Sequence, residues 1–188
     1  MANRVSITKD NVSKVFKSLA ALTGKQVLIG IPDDHGDRKD GDAANNALIG
    51  YTMENGSAAQ NIPARPHLVP GVQKAEKAAV AQLRKAADAA LVGDTRKADQ
   101  FLEAAGIIGA NEVRGMINSN IPPELSPETI RRRKYARGTR SRRESEDVYL
   151  DLVSKGVDPA AAQGETGIVS LVNTGAYRNS ITSVVRKK

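Results

Sequence analysis

The chain has 188 residues, 40% of them hydrophobic and 26% charged, with a formal net charge of +7 and no cysteine. That length suits one core of ordinary size, and the missing thiols exclude disulfide scaffolds, thiolate metal sites and cysteine nucleophiles. With two Phe, four Tyr and no Trp the core must be built from Ala, Val, Leu and Ile, and a stacking platform for single-stranded bases is not expected.

The longest apolar stretch, Ala104 to Ala110, is far shorter than the roughly 20 residues of a membrane-spanning helix. Residues Met1 to Asp10 lack a secretory apolar run, so the expectation is a chain kept in a reducing cytoplasm with no membrane partner. The positive charge is concentrated in one place. Arg131, Arg132, Arg133, Lys134, Arg137, Arg140, Arg142 and Arg143 follow one another without an acid, and without these eight the basic residues fall to one fewer than the 21 acidic ones. Glu144, Glu146, Asp147 and Asp151 come directly after, so part of the run can pair locally.

In chain order, Thr8 or Asp10 is expected to cap a helix carrying Val12, Val15, Phe16, Leu19 and Leu22 at three- and four-residue spacing, stopped by Gly24. Lys25 to Ile31 reads as a buried strand ended by Pro32, and Asp33 to Asp42 as an exposed polar loop. Asp42 is expected to cap a second helix that closes near Gly56. The three prolines between Ile62 and Pro70 make that stretch an extended corner. A long Ala-rich helix runs from Val72 to Ala90, and Asp94 or Thr95 caps a second one carrying Phe101, Leu102, Ala105, Ile108 and Met116. Within it Gly106, Gly109 and Gly115 are expected to permit close helix contact or bending.

Ser126, Pro127 and Glu128 read as the start of a short helix into the arginines. Short helices are expected around Val148 to Val153 and Pro159 to Gln163, Ile168 to Val172 as a strand, Thr174 and Gly175 as a turn or cap, and Ile181 to Arg186 as a last strand. The fold class expected is α+β: a small, mostly antiparallel sheet packed by an N-terminal helix and long Ala-rich helices, with an extended basic arm. The whole of 1–188 is one domain in this reading, and 124–166 is a flexible basic or polar arm or insertion.

Catalytic signatures are absent. His35 and His67 lie in separate segments and read as loop or surface histidines. The acids of 33–42 do not follow the calcium-loop order, and no phosphate loop, nucleophile elbow or zinc-protease motif is present. No cofactor and no metal are expected, and no enzyme; an enzyme using His67 near Glu54 is the weakest of the readings. The arginine run fits either salt-dependent, sequence-indifferent contact with DNA phosphates or docking against an acidic protein surface. Arg65, between two prolines, is expected to hold a carboxylate bidentately, with Glu54 as partner.

Two stretches carry a resemblance. Met53-Glu54-Asn55-Gly56 followed by Ile62-Pro63-Ala64-Arg65-Pro66-His67-Leu68-Val69-Pro70, and later Leu171-Val172-Asn173-Thr174-Gly175-Ala176-Tyr177-Arg178-Asn179-Ser180-Ile181, resemble the tail-completion and head–tail joining (neck) proteins of tailed bacteriophages, lambda-type tail completion proteins among them. The matching positions are Glu54, Gly56, Pro63, Arg65, Pro66, Leu68, Thr174 and Gly175; Asn55 stands where that family has an aromatic residue and His67 where it has Phe. The resemblance implies a non-enzymatic structural protein of the virion, at the tail top or neck, assembled in the host cytoplasm. It further implies a cyclic homo-oligomer, expected to be hexameric, that meets a tail terminator or tail tube protein, head-completion or connector proteins, and genomic double-stranded DNA in the channel. The alternative is a non-enzymatic DNA-binding protein that uses the segment 131–143.

Overall fold

A computed structural model of the chain describes residues 12–32, 45–135 and 140–188, without the side chains of 134–143. Its elements are α1 (Val12–Thr23), β1 (Lys25–Gly30), α2 (Asn46–Asn55), α3 (Leu68–Leu91), α4 (Thr95–Asn118), α5 (Pro127–Tyr135), α6 (Arg140–Ser154), α7 (Pro159–Thr166), α8 (Ala176–Ser180) and β2 (Thr182–Lys187). The fold is α+β, mostly helical, with one antiparallel pair in which Val27 lies opposite Val185 and Leu28 opposite Val184.

Alanine and glycine dictate the packing. α3 and α4 form an antiparallel pair that closes through Gly71 of α3, where a Cβ would lie 2.6 Å from the Val113 Cα. Gly106 and Gly109 of α4 serve a different contact from the helix pairing expected of them: they face the sheet, and a Cβ at Gly109 would lie 2.2 Å from the Ile29 Cδ1. Helix α4 is thus the central element, with α3 against one part of its surface and the strands against another. The sheet's other face carries Leu28, Val184 and Arg186, which line an open groove.

Three apolar clusters form the core. The main one joins Ala110, Val113 and Ile117 of α4 to Leu171 and Ile181, with Ile29, Met53 and Tyr177 packed against it. At the far end of the long pair, Ala89, Ala90 and Ala98 receive Leu19 and Leu22 of α1. Leu125, Ile130, Tyr149, Ala162 and Ile168 make the third. Over its described residues the segment 124–166, expected as a flexible basic or polar arm or insertion, forms three helices around this cluster, because Ile130 and Tyr149, both fully buried, give α5 and α6 a shared apolar side. Gln163 locks it, its Oε1 accepting from the Leu125 amide at 2.9 Å and its Nε2 donating to Asn120 Oδ1 at 2.7 Å.

Other expectations shift at their ends. Asn45 caps α2, its Oδ1 accepting from the Ala47 amide, while Asp42, Thr8, Asp10, His35 and the 33–42 loop lie outside the described residues. Asp94 caps α4, and Ser126 caps the start of α5. α3 begins at Leu68, with Pro70 in its first turn where a missing N–H costs nothing. Ile168 to Val172 is not a strand but a turn closed by Val172 N to Val169 O at 3.1 Å.

Candidate functional site

The site grows from the corner between α2 and α3. Gly56 ends α2 with φ 76° and ψ 175°, a positive-φ conformation that glycine adopts freely, and a Cβ there would lie 2.8 Å from the Ala64 nitrogen. The chain then makes a small loop held by reciprocal Ser57–Ile62 backbone bonds, and the Arg65 amide donates to the Met53 carbonyl at 2.6 Å. Pro63 and Pro66, both exposed, flank Arg65 and fix the exit direction.

This return places the start of α3 over the Glu54 carboxylate. Oε2 accepts from the His67 and Leu68 amides at 2.8 and 2.9 Å, and Oε1 from the Val69 amide at 3.1 Å. Three of the unpaired N–H groups at a helix start are thereby satisfied by a side chain from another helix. Burial works against the Glu54 charge, yet the three amide bonds and the nearby His67 prevail and hold its carboxyl below the ordinary value.

Arg65 takes partners other than the expected one. Its Nε and Nη2 donate to the Pro123 carbonyl at 3.0 and 2.7 Å, and Nη2 reaches Glu124 O at 3.3 Å. Glu54 is already committed to the α3 amides, so the guanidinium clamps backbone carbonyls instead. Only 5% of Arg65 is exposed, and this burial pulls its pKa down against the opposing charge of Glu124.

His67, expected on a loop or surface, is 1% exposed. Its Nδ1 lies 2.8 Å from the Arg65 carbonyl and 3.2 Å from Glu54 Oε2. A carbonyl only accepts, so Nδ1 carries a proton, and in that tautomer Nε2 accepts from the Tyr177 hydroxyl. The two rings meet edge to face, 5.5 Å between centroids. Burial and then the Glu54 charge push the Tyr177 phenol up from its ordinary pKa. Thr174 and Gly175 start the short helix that presents it: Gly175 has φ 83°, and Thr174 Oγ1 accepts from the Ala176 amide at 3.3 Å.

The sequence reading did not single out Tyr177 or Gly50. A Cβ at Gly50 would lie 3.1 Å from the Tyr177 hydroxyl, so the phenol needs that glycine. The signal for Tyr177 was its place two residues after Gly175, inside a stretch already marked. A cavity of about 260 Å³ opens beside these groups, lined by Ile31, Gly50, Tyr51, His67 and Tyr177.

The basic segment divides. Arg131 and Arg132 are exposed, and Arg132 pairs with Glu128 at 2.6 Å across one helical turn. Arg133 does not face outward as expected: Nη2 donates to Ser170 O at 2.7 Å, and Nη1 to Val169 O at 3.3 Å and Val172 O at 3.4 Å. These bonds use the carbonyls that a strand at 168–172 would have offered to a neighbour. Arg137 and the side chains of Lys134, Arg140, Arg142 and Arg143 lie outside the described residues.

Chemically the corner is a joint: its carboxylate, guanidinium and imidazole are engaged by main-chain atoms and one phenol. Among the described residues no group of three acidic or histidine side chains could hold a metal, and no helix is long and apolar enough to cross a membrane. No protein-family model, curated protein or solved structure matches this chain.

Proposed function

We propose that this chain is a structural virion protein of a tailed phage, one subunit of a ring at the tail top or neck that completes the tail and joins it to the head. One observation carries the reading. The two stretches that resemble the tail-completion family, 110 residues apart at the His67–Tyr177 bond, form a single joint in which Glu54 caps α3 and Arg65 anchors the corner to Pro123. Groups spent on fixing backbone suit a part that must hold its shape in an assembly, and they leave little for turning over a substrate. The partners on this reading are further copies of the chain, a tail terminator or tube protein, and a head-completion or connector protein.

Disruption of the gene in its parent phage, followed by negative-stain imaging of the lysate, tests it. Filled heads beside separate tails are expected; abnormal tail length moves the role to termination, and normally joined particles overturn the reading.

A second reading, binding to duplex DNA, is favoured by exposed Arg131 and Arg132 on α5. Gel-shift affinity of the full chain against salt separates the two, since binding through several phosphates falls steeply as salt rises. Negligible binding at physiological salt removes this second reading.

A further inference from the structure

We infer that α3 of one copy docks into the open sheet groove of a second copy, with Glu76 of the first against Arg186 of the next. This deepens the ring reading and rests on it for closure of the assembly, but the contact itself is argued from two faces of this chain. The first is a ridge. Besides the alanines it buries on α4, helix α3 carries a second apolar stripe at three- and four-residue spacing, Val69, Val72, Val80 and Leu83, each more than a third exposed. Glu76 stands in the middle of that stripe, exposed.

The second face is a groove of about 630 Å³ over the outer side of the sheet. Side chains alternate along a strand, so Thr182, Val184 and Arg186 point the same way, beside Gly30 and Leu28 of β1. Leu28 and Val184, directly opposite one another, are 37% and 38% exposed. Neither Glu76 nor Arg186 has an ion-pair partner among the described residues.

The spacings match. Four residues of helix advance about 6 Å, and two residues of strand advance about 6.6 Å. With Val80 on the Leu28–Val184 pair, Glu76 therefore comes level with Arg186, and Leu83, three residues or about 4.5 Å further on, lies short of Gly30 and Thr182, within reach of its side chain. Gly30 leaves room there for the leucine side chain. One chain thus carries both halves of the contact, a ridge with a lone acid and a groove with a lone base, on different surfaces. Such a head-to-tail contact closes into a ring or runs on as a filament, unlike a two-fold contact.

The test uses the full chain and sedimentation velocity over a concentration series, with circular dichroism as the check on folding. Both positions are exposed, so Glu76→Arg and Arg186→Glu should fold normally, and each should weaken self-association about tenfold or more through like-charge contact. The double variant should recover to within about threefold of the parent chain, the charges being exchanged but still opposite. A second pair of variants tests the polarity: Val80→Glu and Val184→Glu should each be monomeric alone, yet form a one-to-one dimer when mixed, since one ridge and one groove remain intact between them. Self-association indifferent to the swaps, a double variant no better than the singles, or a parent chain monomeric into the millimolar range would each overturn the contact. The virion reading is judged separately by the lysate: rescue by the double swap with normally joined particles keeps the contact and removes that reading, whereas separated heads and tails with swap-insensitive association do the reverse.

Discussion

Tyr177 donates its hydroxyl proton to Nε2 of His67, and because the other ring nitrogen faces the Arg65 carbonyl, a single tautomer of the imidazole satisfies both bonds. Helix α8 is thereby tied to the start of α3 at a point that hardly any water reaches.

Tyr177→Phe removes the donor and leaves a buried ring nitrogen unpaired, which should lower stability by about 1–3 kcal/mol. Urea unfolding measures it. The double variant His67→Phe/Tyr177→Phe should be less destabilised than the sum of the two single variants, because two apolar rings then meet with no polar atom left stranded. Strict additivity would mean that the bond contributes nothing of its own.

Glu54 makes stability depend on acid in a definite direction. Its folded pKa lies below the ordinary 4.5, so its contribution is fully present above that value and is lost as pH falls through the folded pKa. Glu54→Gln should be less stable at neutral pH, since its amide N–H₂ meets backbone N–H groups. Its stability should also fall less steeply than that of the parent chain below pH 4.5. Parallel acid limbs in chemical denaturation at a series of pH values would exclude this role.

The three arginines at the end of α5 should separate in a mutation series. Arg133→Met strips donors from the carbonyls of 169–172 and should cost about 1–3 kcal/mol. Arg131→Met and Arg132→Met should stay within about 0.5 kcal/mol, since an exposed ion pair contributes little. Thermal unfolding of the three variants decides it. Equal effects at all three positions would contradict the inward placement of Arg133.

Two glycines of α4 should respond with opposite signs. Gly109→Ala drives a methyl into Ile29 and should cost about 1–3 kcal/mol. Gly115 has nothing within 4 Å of its missing Cβ. There Gly115→Ala should stabilise the helix by about 0.5–1 kcal/mol. Denaturant midpoints of the two variants provide the comparison.

The long helices and both strands were legible because their apolar residues repeat at helical or strand period, and so were the caps at Asp94 and Ser126. The corner between Gly56 and Leu68 was legible as punctuation, from its prolines. Its wiring was not. Sequence suggested a carboxylate for Arg65, since side chains are what a sequence displays; the carbonyls of Pro123 and Glu124 leave no such trace. The turn at 168–172 was misread for the same reason, an apolar run being equally suited to a strand and to a buried turn held by Arg133. One available signal was missed: Arg133 lies three residues after Ile130, on the side of α5 that turns inward. Nothing in periodicity could reveal that His67 and Tyr177 meet, because it describes elements and not which of them touch.

Arg65, Arg133 and Glu54 each hold a distant segment by its peptide groups and not by its side chains. At Glu124 and Val69, both exposed, the bond is made by a backbone atom and does not depend on which side chain the residue carries. Those two side chains are free to change to suit a new neighbour while the frame beneath them stays in place, so at these points surface identity and skeletal geometry are able to drift independently.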